Sequence, residues 1–93
     1  MTPFTKNQTG AMYLAIGETL AGVMEDFTHS EINALETALA KMDRKRWRLT
    51  PVEKRAVAHA LHFMLSEAQA SDTQRPVRAG QAALDKLAEQ GYW

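Results

Sequence analysis

The densest chemistry in the chain lies between positions 41 and 55, where Lys41, Arg44, Lys45, Arg46, Arg48, Lys54 and Arg55 stand against only Asp43 and Glu53, a local balance of plus five. Trp47 sits inside this stretch. Guanidinium groups offer paired donors to carboxylates or phosphates, and an indole beside them stacks on a base or fills an apolar pocket of a protein. The structural explanation is also strong. Helix ends collect Lys and Arg to meet the negative end of the helix dipole, and a Trp between two amphipathic helices is commonly a core residue. Seven cations in fifteen residues nevertheless exceed what one last turn requires.

The other reactive side chains are sparse. His59 and His62 lie three apart and share a helix face, with His29 as a third donor elsewhere, but no HxxxH spacing or flanking carboxylate completes a metal site. They read as an exposed strip of a helix. Glu25 and Asp26 are sequential, so on a helix they point in different directions and do not share a proton. The chain has no Cys, no glycine-rich phosphate loop, no GxSxG, no HExxH and no EF-hand loop. The expectation is a protein that is not an enzyme and holds no metal or cofactor.

The elements that position these residues announce their own starts. Thr5-Lys6-Asn7-Gln8, Thr28-His29-Ser30-Glu31 and Thr50-Pro51-Val52-Glu53 each match the capping box, in which a hydroxyl and a side-chain carbonyl or carboxylate satisfy unpaired first-turn amides. Phe27 and Ile32 flank the second box as a hydrophobic staple would, and Pro51 takes the first helical position of the third. Gly91 suits a left-handed C-terminal cap, with Tyr92 placed to touch Leu87. The spacing predicts an all-α bundle of four helices, at about 6–26, 29–44, 51–68 and 77–90, with the polar stretch 69–76 as the longest loop. No segment alternates with the period of a strand.

In the first helix Met12, Tyr13, Ile16, Leu20, Val23, Met24 and Phe27 fall in one sector and predict its buried face. Ala11, Ala15 and Gly22 form a second stripe of small residues. A neighbour packed within the fold is the reading preferred over a homodimer seam. The third helix carries apolar residues around most of its circumference, Val52, Ala56 and Phe63 adding a second side to Val57, Ala60, Leu61, Met64 and Leu65. Such a helix is covered by several others, so it is expected to be central. Tyr92 and Trp93 are expected to fold back as a lid, the alternative being an exposed anchor.

Composition bounds the rest. Ninety-three residues with 45% hydrophobic and 24% charged suit one folded domain spanning 1–93, held by packing alone. Residues 1–40 hold Lys6 against Glu18, Glu25, Asp26, Glu31 and Glu36, so a net charge of zero conceals an acidic first part and a basic middle. Without a long-range positive field the chain is not expected to coat nucleic acid. The absence of Cys fits a reducing cytoplasm, and no signal peptide or membrane span is read, because Glu18 and Thr19 break the most hydrophobic segment.

Leu49-Thr50-Pro51-Val52-Glu53-Lys54-Arg55 resembles the start of the first helix in LuxR-type helix-turn-helix domains. The likeness covers seven residues. The glycine-containing turn and recognition helix of that family do not follow, and the capping box explains the shared start, so no family is assigned. The sequence points to a small interaction protein, acting as a regulator, adaptor or inhibitor. Its binding surface would comprise Arg44, Lys45, Arg46, Trp47 and Arg48, extended along the third helix by Arg55, His59 and His62, with a macromolecular partner presenting an acidic patch. Direct nucleic-acid binding through the same cluster is the first alternative, and a structural homodimer the second.

Overall fold

The computed structural model describes residues 4–22, 24–46, 48–71 and 77–93. Its helices are α1 (Lys6–Gly22), α2 (His29–Asp43), α3 (Pro51–Ser71) and α4 (Val77–Glu89), with a short 3₁₀ turn at Met24–Asp26 and no strand among the described residues. All three capping boxes form. The Thr5 amide donates to Gln8 Oε1 at 2.9 Å and the Gln8 amide returns to Thr5 Oγ1 at 3.2 Å. Thr28 and Glu31 exchange the same pair at 3.0 and 3.1 Å, and Thr50 and Glu53 at 2.7 and 3.2 Å. Each cap satisfies two amides that a helix start otherwise leaves to water, so the helices begin where the local chemistry dictates.

The helix ends are equally defined. After α4, the Gly91 amide donates to the Ala88 carbonyl and the Tyr92 amide to the Leu87 carbonyl, both at 3.0 Å, with Gly91 at φ +88°. This is the Schellman arrangement, and Tyr92 packs half-buried against the core as its apolar contact. The end of α2 repeats the arrangement, with Lys45 N–H on the Met42 carbonyl at 2.9 Å and Arg46 N–H on the Lys41 carbonyl at 2.8 Å. There the left-handed position, φ +58°, is held by Lys45 instead of glycine.

Two expectations about α1 are corrected. The helix stops at Gly22, not near Asp26, and the 3₁₀ turn then lowers Phe27 into the core just ahead of the Thr28 cap. Its buried face is Thr9, Ala11, Met12, Ala15, Ile16 and Thr19, which turns Tyr13 out of the core to 43% exposure, beside Leu14 at 40%. The two buried hydroxyls are satisfied inside the helix, Thr9 donating to the Lys6 carbonyl and Thr19 to the Ala15 carbonyl, each at 2.9 Å. Ala11 and Ala15 do face neighbours within the fold, as expected. Gly22 does not, since a Cβ there would meet nothing within 4 Å.

The close approach occurs on α4. A Cβ at Gly80 would stand 3.0 Å from Met64 Cε and 3.4 Å from Leu65 Cδ2, so the missing side chain lets α4 settle onto α3. Val57, Leu61, Met64 and Leu65 of α3 meet Leu35 and Met42 of α2, Met12 and Ile16 of α1, and Leu84 and Leu87 of α4 in one buried cluster. Ile16, Leu35, Leu61 and Leu87 lose all contact with solvent, a burial that stabilises by about 1.5–3 kcal/mol for each side chain. The central position expected of α3 is shared: α1 and α3 each pack against all three other helices, and α2 and α4 make little contact with one another. On α3, Ala56 is buried as expected, while Val52 stands 60% exposed beside the first turn.

Candidate interaction surface

The basic stretch resolves into two sets of cations. Lys41 is withdrawn into the fold, its Nζ 2.6 Å from Glu53 Oε1, and so ties the end of α2 to the start of α3. Glu53 is 3% exposed. Burial pushes its carboxyl up, but the Lys41 ammonium and the Thr50 amide and hydroxyl outweigh that and leave it below the ordinary glutamate value. Lys54 is likewise held, donating to Gln90 Oε1 at 3.2 Å and lying 5.0 Å from the Tyr92 ring centroid. Arg44, Lys45, Arg46 and Arg48 are exposed and form no ion pair among the described residues. Asp43, the acid among them, receives the Tyr13 hydroxyl at 2.7 Å. That bond to a carboxylate raises the Tyr13 pKa above its usual value. Trp47 lies outside the described residues.

The extension along α3 divides in a way the sequence did not signal. Arg55 and His62 are exposed, seven residues apart on one strip of the helix. His59, expected on the same strip, is half-buried. Its Nδ1 lies 2.6 Å from Glu31 Oε2, and its ring stacks on Phe27 with centroids 4.1 Å apart. A carboxylate only accepts, so the Nδ1 carries the hydrogen. Burial pushes the Glu31 carboxyl up, and the Thr28 amide and the His59 ring more than offset it, so Glu31 also lies below the ordinary value. The residue that joins His59 to α2 is thus the N3 member of a capping box, its two oxygens divided between the Thr28 amide and the imidazole.

Trp93 caps this cluster from outside. Its ring centroid is 6.0 Å from His59 and 5.0 Å from His62, and it remains 53% exposed. The expected lid therefore divides: Tyr92 closes on the core, and Trp93 stands over the two histidines as an aromatic surface. Among the described residues no three His, Asp or Glu side chains converge as metal ligands. Arg55 and His62 thus share one exposed strip of α3, and the indole and imidazole platform stands at its His62 end. No helix among the described residues is long and apolar enough to cross a membrane. Comparison with protein-family models, curated proteins and solved structures returns no match to this chain.

Proposed function

We propose that this chain is a small, non-enzymatic, cytoplasmic interaction protein, a regulator, adaptor or inhibitor, that binds an acidic surface on a macromolecular partner. The contact runs through Arg44, Lys45, Arg46, Trp47 and Arg48 and continues over Arg55 and His62, with His59 holding the platform beneath Trp93. The observation that carries this reading is the different treatment of neighbouring cations. Lys41 and Lys54 are tied down by intramolecular partners, while four cations in the intervening turn stay in solvent, one of them in a left-handed conformation. Placing like charges side by side without internal counterions costs stability, and a partner carboxylate cluster removes that cost on binding.

The test is affinity capture from a source lysate, with and without nuclease, comparing the native chain with an Arg46→Glu/Arg48→Glu variant of unchanged circular dichroism. One protein complex that survives nuclease and is lost with the variant is the expected result. Capture only of nuclease-sensitive material overturns it in favour of nucleic acid. In that case affinity for duplex DNA falls with salt at a log-log slope of roughly −4 for about four phosphate contacts.

A further inference from the structure

We propose that the recess between α2 and the first turn of α3 binds a small uncharged molecule, an apolar ring bearing a hydroxyl that donates a hydrogen bond to Glu53 Oε2. The observation that carries this is the uneven use of the Glu53 carboxylate. Its Oε1 accepts from Lys41 Nζ at 2.6 Å and from the Thr50 amide at 2.7 Å, whereas Oε2 is closed to solvent and accepts from no donor among the described residues. The whole side chain is only 4% exposed. A carboxylate oxygen buried without a donor is destabilising, and a donor that reaches it removes the cost.

Glu53 also lines a recess of about 290 Å³, close to the lower end of small-molecule sites, which suits a single ring. Along α2 its wall is the strip Ser30, Asn33, Ala34, Thr37 and Lys41, which spacings of three and four place on one face of the helix. Val52 forms the lip on α3, at 60% the most exposed large apolar side chain among the described residues. The methyls of Ala34 and Val52 offer a ring apolar cover. Charge selects a neutral ligand. Lys41 and Glu53 are the two ionic groups lining the recess, and they neutralise one another. A cation is opposed by the first and an anion by the second, while a hydroxyl meets a carboxylate in a charge-assisted bond. The terminal torsion of a glutamate is broad, so the carboxyl turns Oε2 toward the recess while Oε1 keeps Lys41 and Thr50. The site uses none of the solvent-facing cations of the basic turn and stands or falls independently of that surface.

The experiment is an NMR titration of the whole chain at neutral pH with phenol and, in parallel, with anisole, whose ether oxygen has no hydrogen to donate. Phenol is expected to shift the Ala34 and Val52 methyls and the Glu53 carboxyl carbon together and saturably, with a dissociation constant on the order of 1 mM. Anisole is expected to bind about tenfold more weakly and to leave the Glu53 carbon unmoved. Glu53→Gln keeps an oxygen for Lys41 and Thr50 and sets an amide NH₂ in the place of Oε2, so it is expected to bring phenol down to the level of anisole. Val52→Ala, an exposed substitution, is expected to weaken both ligands about threefold. Equal affinity for phenol and anisole, phenol binding indifferent to Glu53→Gln, or a Glu53 carbon that stays still on binding would each overturn the proposal. So would benzylammonium or benzoate binding there as tightly as phenol, or phenol shifts at Ala15 and Met64, which line a separate cavity between α1 and α3, with none at Ala34 or Val52.

Discussion

The ends of α2 and α4 share one backbone design and differ in what fills it. Both close with the same two hydrogen bonds, yet the three decisive positions are Leu87, Gly91 and Tyr92 in α4 and Lys41, Lys45 and Arg46 in α2. In α4 every choice stabilises: a buried leucine, a glycine where φ is +88°, and a tyrosine folded onto the core. In α2 the left-handed position carries a side chain that disfavours it, and the residue after it is an exposed arginine. Both make the same turn. Only the first is optimised as a turn, which is the pattern expected where side-chain chemistry has been preferred to backbone ease.

Substitutions at matched positions sharpen this contrast, each read by urea denaturation. Leu87→Ala is the largest, expected to lose about 3 kcal/mol, because it empties a fully buried site beneath the cap. Tyr92→Ala is expected to lose about 2 kcal/mol, since the ring is half-buried and also faces Lys54, whereas its counterpart Arg46→Ala changes stability by no more than about 0.5 kcal/mol and weakens partner capture. At the left-handed positions the signs are opposite. Gly91→Ala is expected to cost about 1 kcal/mol and Lys45→Gly to gain somewhat less, with reduced capture in the latter. A Lys45→Gly variant that is less stable than the native chain would break the comparison.

The smallest effect separates helix starts from helix ends. The C-terminal caps are built from amides and carbonyls and do not titrate, whereas the starts of α2 and α3 use Glu31 and Glu53. Both carboxyls titrate lower in the fold than the 4.5 of an unperturbed glutamate, so their contribution is complete above that pH. It is lost as the pH falls through the folded values. Denaturation between pH 6 and 3, compared with a Glu31→Gln/Glu53→Gln variant, is expected to show a shallower acid loss in the variant.

What was legible in the sequence was local. A capping box spans four residues, so Thr5, Thr28 and Thr50 could be read without knowing what packs where, and the Gly91 turn likewise. What failed required the rotation of one helix against another. Tyr13 belongs to the apolar stripe of α1 by spacing, but the docking of α1 follows Ala11, Ala15 and Thr19, and the ring is left outside. Lys41 counted toward the basic cluster because Glu53, twelve residues on, could be matched to it only across the helix pair. His59 looked like surface for the same reason, its partner Glu31 lying 28 residues away. The strained Lys45 carried no signal, since a lysine in that place ordinarily continues a helix.

Met64 borders two spaces at once. Its terminal methyl would stand 3.0 Å from a Cβ at residue 80, and the same residue lines the cavity between α1 and α3. Methionine is unbranched and readily changes shape. The spacing of α3 from α4 and the room left in the cavity are therefore not separate dimensions of the molecule. A side chain at residue 80 presses first on that methyl, and so on a residue that also borders the void. The two flanks of α3 thus share one flexible side chain, and a change of volume at either is met first by Met64.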